Sequence, residues 1–151
     1  MYTQKVVTLW FRSPELLLGM RNYTAAVDAW SLGCIMAEII LGKGRALFNG
    51  HKENIQIGLI YEMCGSPSEV DWEGVSKLRF WNELGPKQIY TRKLKEYLKT
   101  ETQNKFPEDL YDLIDKLLLI NPHSRLSVKE ALLHPFFTSD PQISSPEQLS
   151  L

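Results

Sequence analysis

Three histidines, two cysteines, an aspartate inside an apolar run and one basic stretch are the side chains here whose types could do chemistry. His51, His123 and His134 have no Cys, Asp or Glu at ligand spacing, so no metal site is expected. Cys34 and Cys64 stand in apolar, helix-like contexts without paired spacing, and Cys34 lacks an activating neighbour in sequence. Both read as small core residues of a reducing compartment, not as a nucleophile, a disulfide or a zinc pair. Arg92, Lys93, Lys95 and Lys99 could meet an acidic partner or nucleic acid, but such a run is more often a solvated helix face. The 17 basic and 18 acidic residues leave a net charge of −1, which gives no long-range attraction for nucleic acid. Asp28 is more demanding, because an aspartate early in an apolar helix has to find hydrogen-bond donors.

These side chains need a frame. The chain has 151 residues, 44% apolar and 23% charged, which suits one soluble domain with a substantial core. Its longest apolar run, Ala25 to Leu41, contains Asp28, Ser31 and Glu38 and falls short of the roughly 20 apolar residues a membrane span needs. It reads as a buried helix with Thr24 as N-cap and Gly42 near its end. Val27, Trp30, Ile35, Met36, Ile39, Ile40 and Leu41 point nearly all round it, so it belongs inside a domain. No membrane association is expected, and Met1 to Val7 do not resemble a signal peptide.

Val6 to Arg12 read as extended chain, followed by a short helix over Glu15 to Leu18 with Pro14 at its first position. Asn54 to Cys64 has helical spacing in Ile55, Leu59, Ile60 and Met63, and Gly65-Ser66-Pro67 stops it. Ser68 to Phe106 is the least regular stretch. Leu110 to Leu119 carries Leu110, Leu113, Ile114, Leu117 and Leu118 on one face. Ser127 and Glu130 form a capping box before Ala131, Leu132 and Leu133, a helix that Pro135 closes. The tail, residues 138–151, is expected to be disordered. The fold class is mainly α, with no credible sheet.

Four segments, in order, carry a resemblance over nearly the whole chain. Tyr2 to Glu15 resembles the end of a protein kinase activation segment, with Ser13-Pro14-Glu15 where the A-P-E motif stands. Val27-Asp28-Ala29-Trp30-Ser31-Leu32-Gly33-Cys34 is similar to the signature of the central helix of the kinase large lobe. Asn121-Pro122-His123-Ser124-Arg125 resembles the D-P-x-x-R segment, and His134-Pro135-Phe136-Phe137 the familiar ending. Thr8 to Arg12 and Ala46 to Gly50 are similar to the cyclin-dependent group of the CMGC kinases. Met63 to Pro67 and Gly85 to Leu94 look most like its transcriptional members, which act on the RNA polymerase II tail.

The resemblance implies a partial kinase domain over residues 1–137: a helical C-terminal portion of the large lobe, without the N-terminal β lobe. It implies that Thr3 is the activation phosphosite, ordered by arginines from regions this sequence does not contain. Val7, Leu9, Trp10 and Arg12 match the platform for the residue after the phosphorylated Ser or Thr, where the family prefers proline, which has no N–H to leave unpaired. Thr8 matches a supporting position beside a catalytic aspartate and lysine. Glu15 and Arg125 match a buried ion pair suited to a fork-shaped guanidinium. Ser13, Pro14, Asp28, Trp30 and Gly33 match structural positions, Asp28 as acceptor for the catalytic loop.

A protein kinase also needs a Gly-rich loop, a strand lysine, H-R-D and D-F-G. None of these occurs in the sequence. The chain is therefore expected to hold no catalytic residue and no cofactor by itself, the family's ATP and Mg2+ lying with parts encoded elsewhere. Implied partners are a cyclin and a protein substrate with Ser/Thr-Pro sites, in the nucleus or cytoplasm. The expectation is an incomplete piece of a proline-directed serine/threonine kinase, inactive alone. The alternative is a non-catalytic binding or docking module derived from a kinase large lobe.

Overall fold

A computed structural model describes residues 9–138, and among them helices and loops are the only elements. The helices are α1 (Pro14–Leu17), α2 (Ala26–Leu41), α3 (Glu53–Cys64), α4 (Trp81–Leu84), α5 (Leu94–Glu101), α6 (Glu108–Leu117), α7 (Val128–Ala131) and α8 (Pro135–Thr138), with a 3-10 turn at Val75–Lys77. Helix α2 lies mainly on α6, and α6 also carries α5. The mainly α expectation holds.

Helix α2 buries Ala29, Trp30, Gly33, Cys34, Ala37 and Leu41, a stripe repeating every three to four residues. Its other side is not enclosed: Ile35 is 46% and Ile39 71% exposed. The apolar residues surround the helix as the sequence suggests, but only one side is covered among the described residues. Thr24 is not the N-cap. That position is Ala25, and the Thr24 hydroxyl accepts from the Ala26 N–H at 3.3 Å from one residue further back. The end of α6 packs closely on Gly33. A Cβ there would sit 2.8 Å from Leu118 Cγ and 3.0 Å from Leu117 Cβ. Overpacking costs roughly 1–3 kcal/mol, against roughly 1 kcal/mol that alanine gains in helix propensity. Gly33→Ala is expected to lower the urea midpoint, whereas an exposed glycine in a helix would show a rise.

Helix α3 forms as expected but turns a different side inward. Gln56, Ile57, Ile60, Tyr61 and Cys64 are buried, and Ile55 is 40% exposed. Leu9 and Trp10 are helical and Phe11 lies in a turn, which corrects the extended reading for those residues. The irregular stretch hides a genuine helix, α5, whose Leu94 and Leu98 are fully buried. The capping box is formed, but α7 lasts one turn: Leu132 and Leu133 are 65% and 77% exposed. Pro135 opens α8 instead of closing α7, as its fixed φ allows at a first helical position.

Ser66 and Tyr90 pinch the irregular stretch into a loop with a narrow neck. Ser66 N–H donates to the Tyr90 carbonyl at 3.0 Å, and Tyr90 N–H donates to Ser66 Oγ at 2.9 Å. Next to the neck, all five guanidinium N–H groups of Arg92 find acceptors: the Asp115 carboxylate at 2.8 and 3.1 Å, its carbonyl, and the carbonyls of Cys64 and Leu118. Arg92 therefore ties the ends of α3 and α6 together and is not part of a solvated basic face. Lys93 pairs with Glu62, and Lys95 and Lys99 both pair with Glu108.

Candidate functional site: a segment held by a buried ion pair

The segment Leu9 to Glu15 is fixed at both ends. At its far end α1 starts at Pro14, and Glu15 in its first turn is 1% exposed. Arg125, 110 residues later, meets it with a two-pronged contact: Nη1 to Oε1 at 2.7 Å and Nη2 to Oε2 at 2.8 Å. The remaining Arg125 donors reach the carbonyls of Leu119 (2.8 Å), Ala26 (2.8 Å) and Ile120 (3.1 Å), and its guanidinium lies 5.0 Å over the Trp30 ring. One side chain thus joins α1, the start of α2 and the loop after α6. Asn121 shapes that loop, its side-chain oxygen accepting from the His123 N–H at 2.9 Å and its carbonyl from the Arg125 N–H at 3.1 Å.

At the near end, the Trp10 indole N–H donates to the Gly50 carbonyl at 3.1 Å. Gln56, fully buried, donates to the Trp10 carbonyl at 3.1 Å and accepts from the Gly50 N–H at 2.8 Å. Arg12 pairs with Glu53 at 2.7 Å, and Ser31 Oγ donates to the Phe11 carbonyl at 3.1 Å. Leu9 is buried, while Trp10 and Arg12 are half-buried. Gln56 and Glu53 are not singled out from sequence, and Gly50 enters there only as the end of the Ala46–Gly50 likeness. The available signal was a glutamine sharing a helix face with Ile60 and Cys64.

Thr3, Val7 and Thr8 lie outside the described residues. Asp28 is exposed, and its carboxylate has no hydrogen-bond partner among the described residues; it lines a shallow cleft with Phe11, Ser13 and Ser31. Ser13 Oγ and Trp30 Nε1 are buried, also without a partner among the described residues.

Both thiols are buried and free. Burial pushes Cys64 up to about 12 despite the opposing Arg92 charge, and burial also raises Cys34, so neither is poised as a nucleophile. His134 is structural in its bonds: its Nδ1 accepts from Phe136 N–H at 3.2 Å and its Nε2 faces Asp112 Oδ2 at 3.0 Å. Burial raises the Asp112 carboxyl, but hydrogen bonds from Lys116 and His134 outweigh it and hold it below the usual carboxylate range. No His, Cys, Asp and Glu group among the described residues could hold a metal, and the sequence has no Gly-rich phosphate loop. The described residues therefore offer no set that fits a nucleotide–magnesium complex, and no reaction step is assigned to them. No helix among the described residues is long and apolar enough to cross a membrane.

The protein kinase domain family matches residues 1–137. The chain is 43% identical to Cyclin-dependent kinase 12 of Caenorhabditis elegans, over 92% of its own length and 18% of that protein. It is 43% identical to Cyclin-dependent kinase 9 of Xenopus tropicalis, over 95% of its length and 37% of that protein. It is 41% identical to Cyclin-dependent kinase C-2 of Oryza sativa subsp. japonica, over 97% and 27%. The chain thus spans well under half of each of these relatives. It belongs to the protein kinase family, in the cyclin-dependent group, and carries a helical portion of the large lobe.

Proposed function

We propose that this chain is the substrate-side portion of a cyclin-dependent, proline-directed serine/threonine kinase, presenting Val7, Leu9, Trp10 and Arg12 to a Ser/Thr-Pro segment of a protein substrate. In this reading ATP, Mg2+ and the catalytic loop are supplied by polypeptide outside this sequence, and a cyclin acts on the assembled enzyme. Thr3 is its activation phosphosite, and its setting is transcription or cell-cycle control in the nucleus or cytoplasm. The observation that carries the reading is the anchoring of Leu9–Arg12 from two sides, by Glu15–Arg125 and by Gln56–Gly50, which supports a rigid binding surface. Rigid placement matters because phosphoryl transfer depends on positioning and charge neutralisation.

The test has two arms. The pure 151-residue chain, given ATP, Mg2+ and a Ser-Pro peptide, is expected to transfer no phosphate above the chain-free control. A chimera in which this chain replaces the matching stretch of the Caenorhabditis elegans relative is expected to transfer phosphate to Ser-Pro peptides at least tenfold faster than to Ser-Ala ones. Transfer by the isolated chain, or a folded chimera blind to the proline, overturns the proposal. Binding of Ser-Pro peptide by the isolated chain, without a chimera that turns over, favours a docking module instead.

A further inference from the structure

We infer that Gln56 is a positioning residue of the substrate platform, its buried carboxamide bridging the Trp10 carbonyl and the Gly50 amide. The inference rests on the reading that Leu9–Arg12 receive the substrate. A buried amide is expected to use both its ends, and Gln56, fully buried, spends one on Trp10 and the other on Gly50. Its Nε2 holds the Trp10 carbonyl and its Oε1 holds the Gly50 N–H, while the Gly50 carbonyl takes the Trp10 indole N–H. These three hydrogen bonds close a ring through Trp10, Gly50 and Gln56, so backbone and ring of Trp10 are set together. Gly50 admits nothing larger: a Cβ there would lie 2.5 Å from the Gln56 backbone nitrogen. That contact presses the loop before α3 onto the first turn of the helix that carries Gln56. The neighbouring Arg12–Glu53 pair, 31% and 55% exposed, is too wet to do the same work. A hydrophobic side chain of similar length would fill the space but leave the Trp10 carbonyl without its donor.

The test uses the full chain with 15N-labelled tryptophan, the Trp10 indole signal being assigned by Trp10→Phe. Gln56→Glu keeps the shape and replaces the N–H donor by a carboxyl that can donate only when protonated; Gln56→Met keeps the length and loses both bonds. Both variants are expected to shift the Trp10 indole resonance and speed its solvent exchange about tenfold, leaving Trp72 unmoved. Affinity for a 12-residue Ser-Pro peptide should fall about fivefold to tenfold, the scale of one lost neutral hydrogen bond. On acidification the carboxyl introduced by Gln56→Glu regains a proton to donate, so its Trp10 signal should move back toward wild type, with no such return in Gln56→Met. Leu113→Val, in the separate cluster of Ala29 and Leu117, is the control for general loosening. The inference is overturned if the Trp10 signal stays put in both Gln56 variants, or if Leu113→Val moves it equally. A wild-type chain that binds Ser-Pro and Ser-Ala peptides alike removes the platform reading, and the Trp10 signal then decides the role of Gln56 alone.

Discussion

Glu15→Ala is expected to lower the unfolding free energy by about 3–5 kcal/mol, because it strands a buried guanidinium without its counter-charge. The pair is fully enclosed, with side chains 0% and 1% exposed, so water cannot replace the lost carboxylate. The attraction itself is not the source of the loss: two charges were desolvated to form it, and the penalty appears when one partner goes. The double variant Glu15→Leu with Arg125→Met should therefore be less damaged than Glu15→Ala, since it leaves no buried charge. Recovery should be partial, because Arg125 also serves the carbonyls of Leu119, Ala26 and Ile120. Urea unfolding of the three proteins checks this, and a loss below about 1 kcal/mol in Glu15→Ala would show the pair to be open to solvent.

Trp30→Ala should cost a similar amount, about 3–5 kcal/mol, by the cavity it leaves. The ring has no exposed surface, stacks on Phe48 with centroids 5.8 Å apart, and floors the Arg125 guanidinium. Trp30→Phe is the informative companion. It keeps the stacking partner and removes an indole N–H that has no acceptor among the described residues, so its loss should be well under half that of alanine. Equal losses in the two variants would mean that the indole N–H is satisfied and matters more than the packing.

The start of α1, the N-cap of α7 and the kinase likeness are legible in sequence because each has a local signature: Pro14 ahead of Glu15, Ser127 with Glu130, and the Asp28–Cys34 motif. What sequence could not show was orientation. Helix α3 has apolar residues on more than one side, so periodicity favoured Ile55 and Leu59, whereas tertiary packing chose Gln56, Ile57 and Tyr61. Helix α5 was masked by its lysines, although Leu94 and Leu98 four apart were the core signal. Arg92 looked like one cation among several. Only the approach of the ends of α3 and α6 distinguishes it, and that is a long-range fact absent from its neighbours in the chain. Glu15 and Arg125, 110 residues apart, came from motif resemblance and from nothing local.

The Ser66–Tyr90 neck has a consequence for how such chains can diverge. Closing a loop costs entropy that grows only logarithmically with length, roughly 0.6 kcal/mol for each doubling. Here closure is enforced by two hydrogen bonds at the neck, one between backbones and one from the Tyr90 N–H to the Ser66 hydroxyl, with Arg92 clamping the helix ends directly behind it. Outward of that point, Ile89 is almost fully exposed and so is Val70. Insertions or deletions at such exposed positions would change the reach and surface of the loop at little thermodynamic penalty, leaving the helices in register.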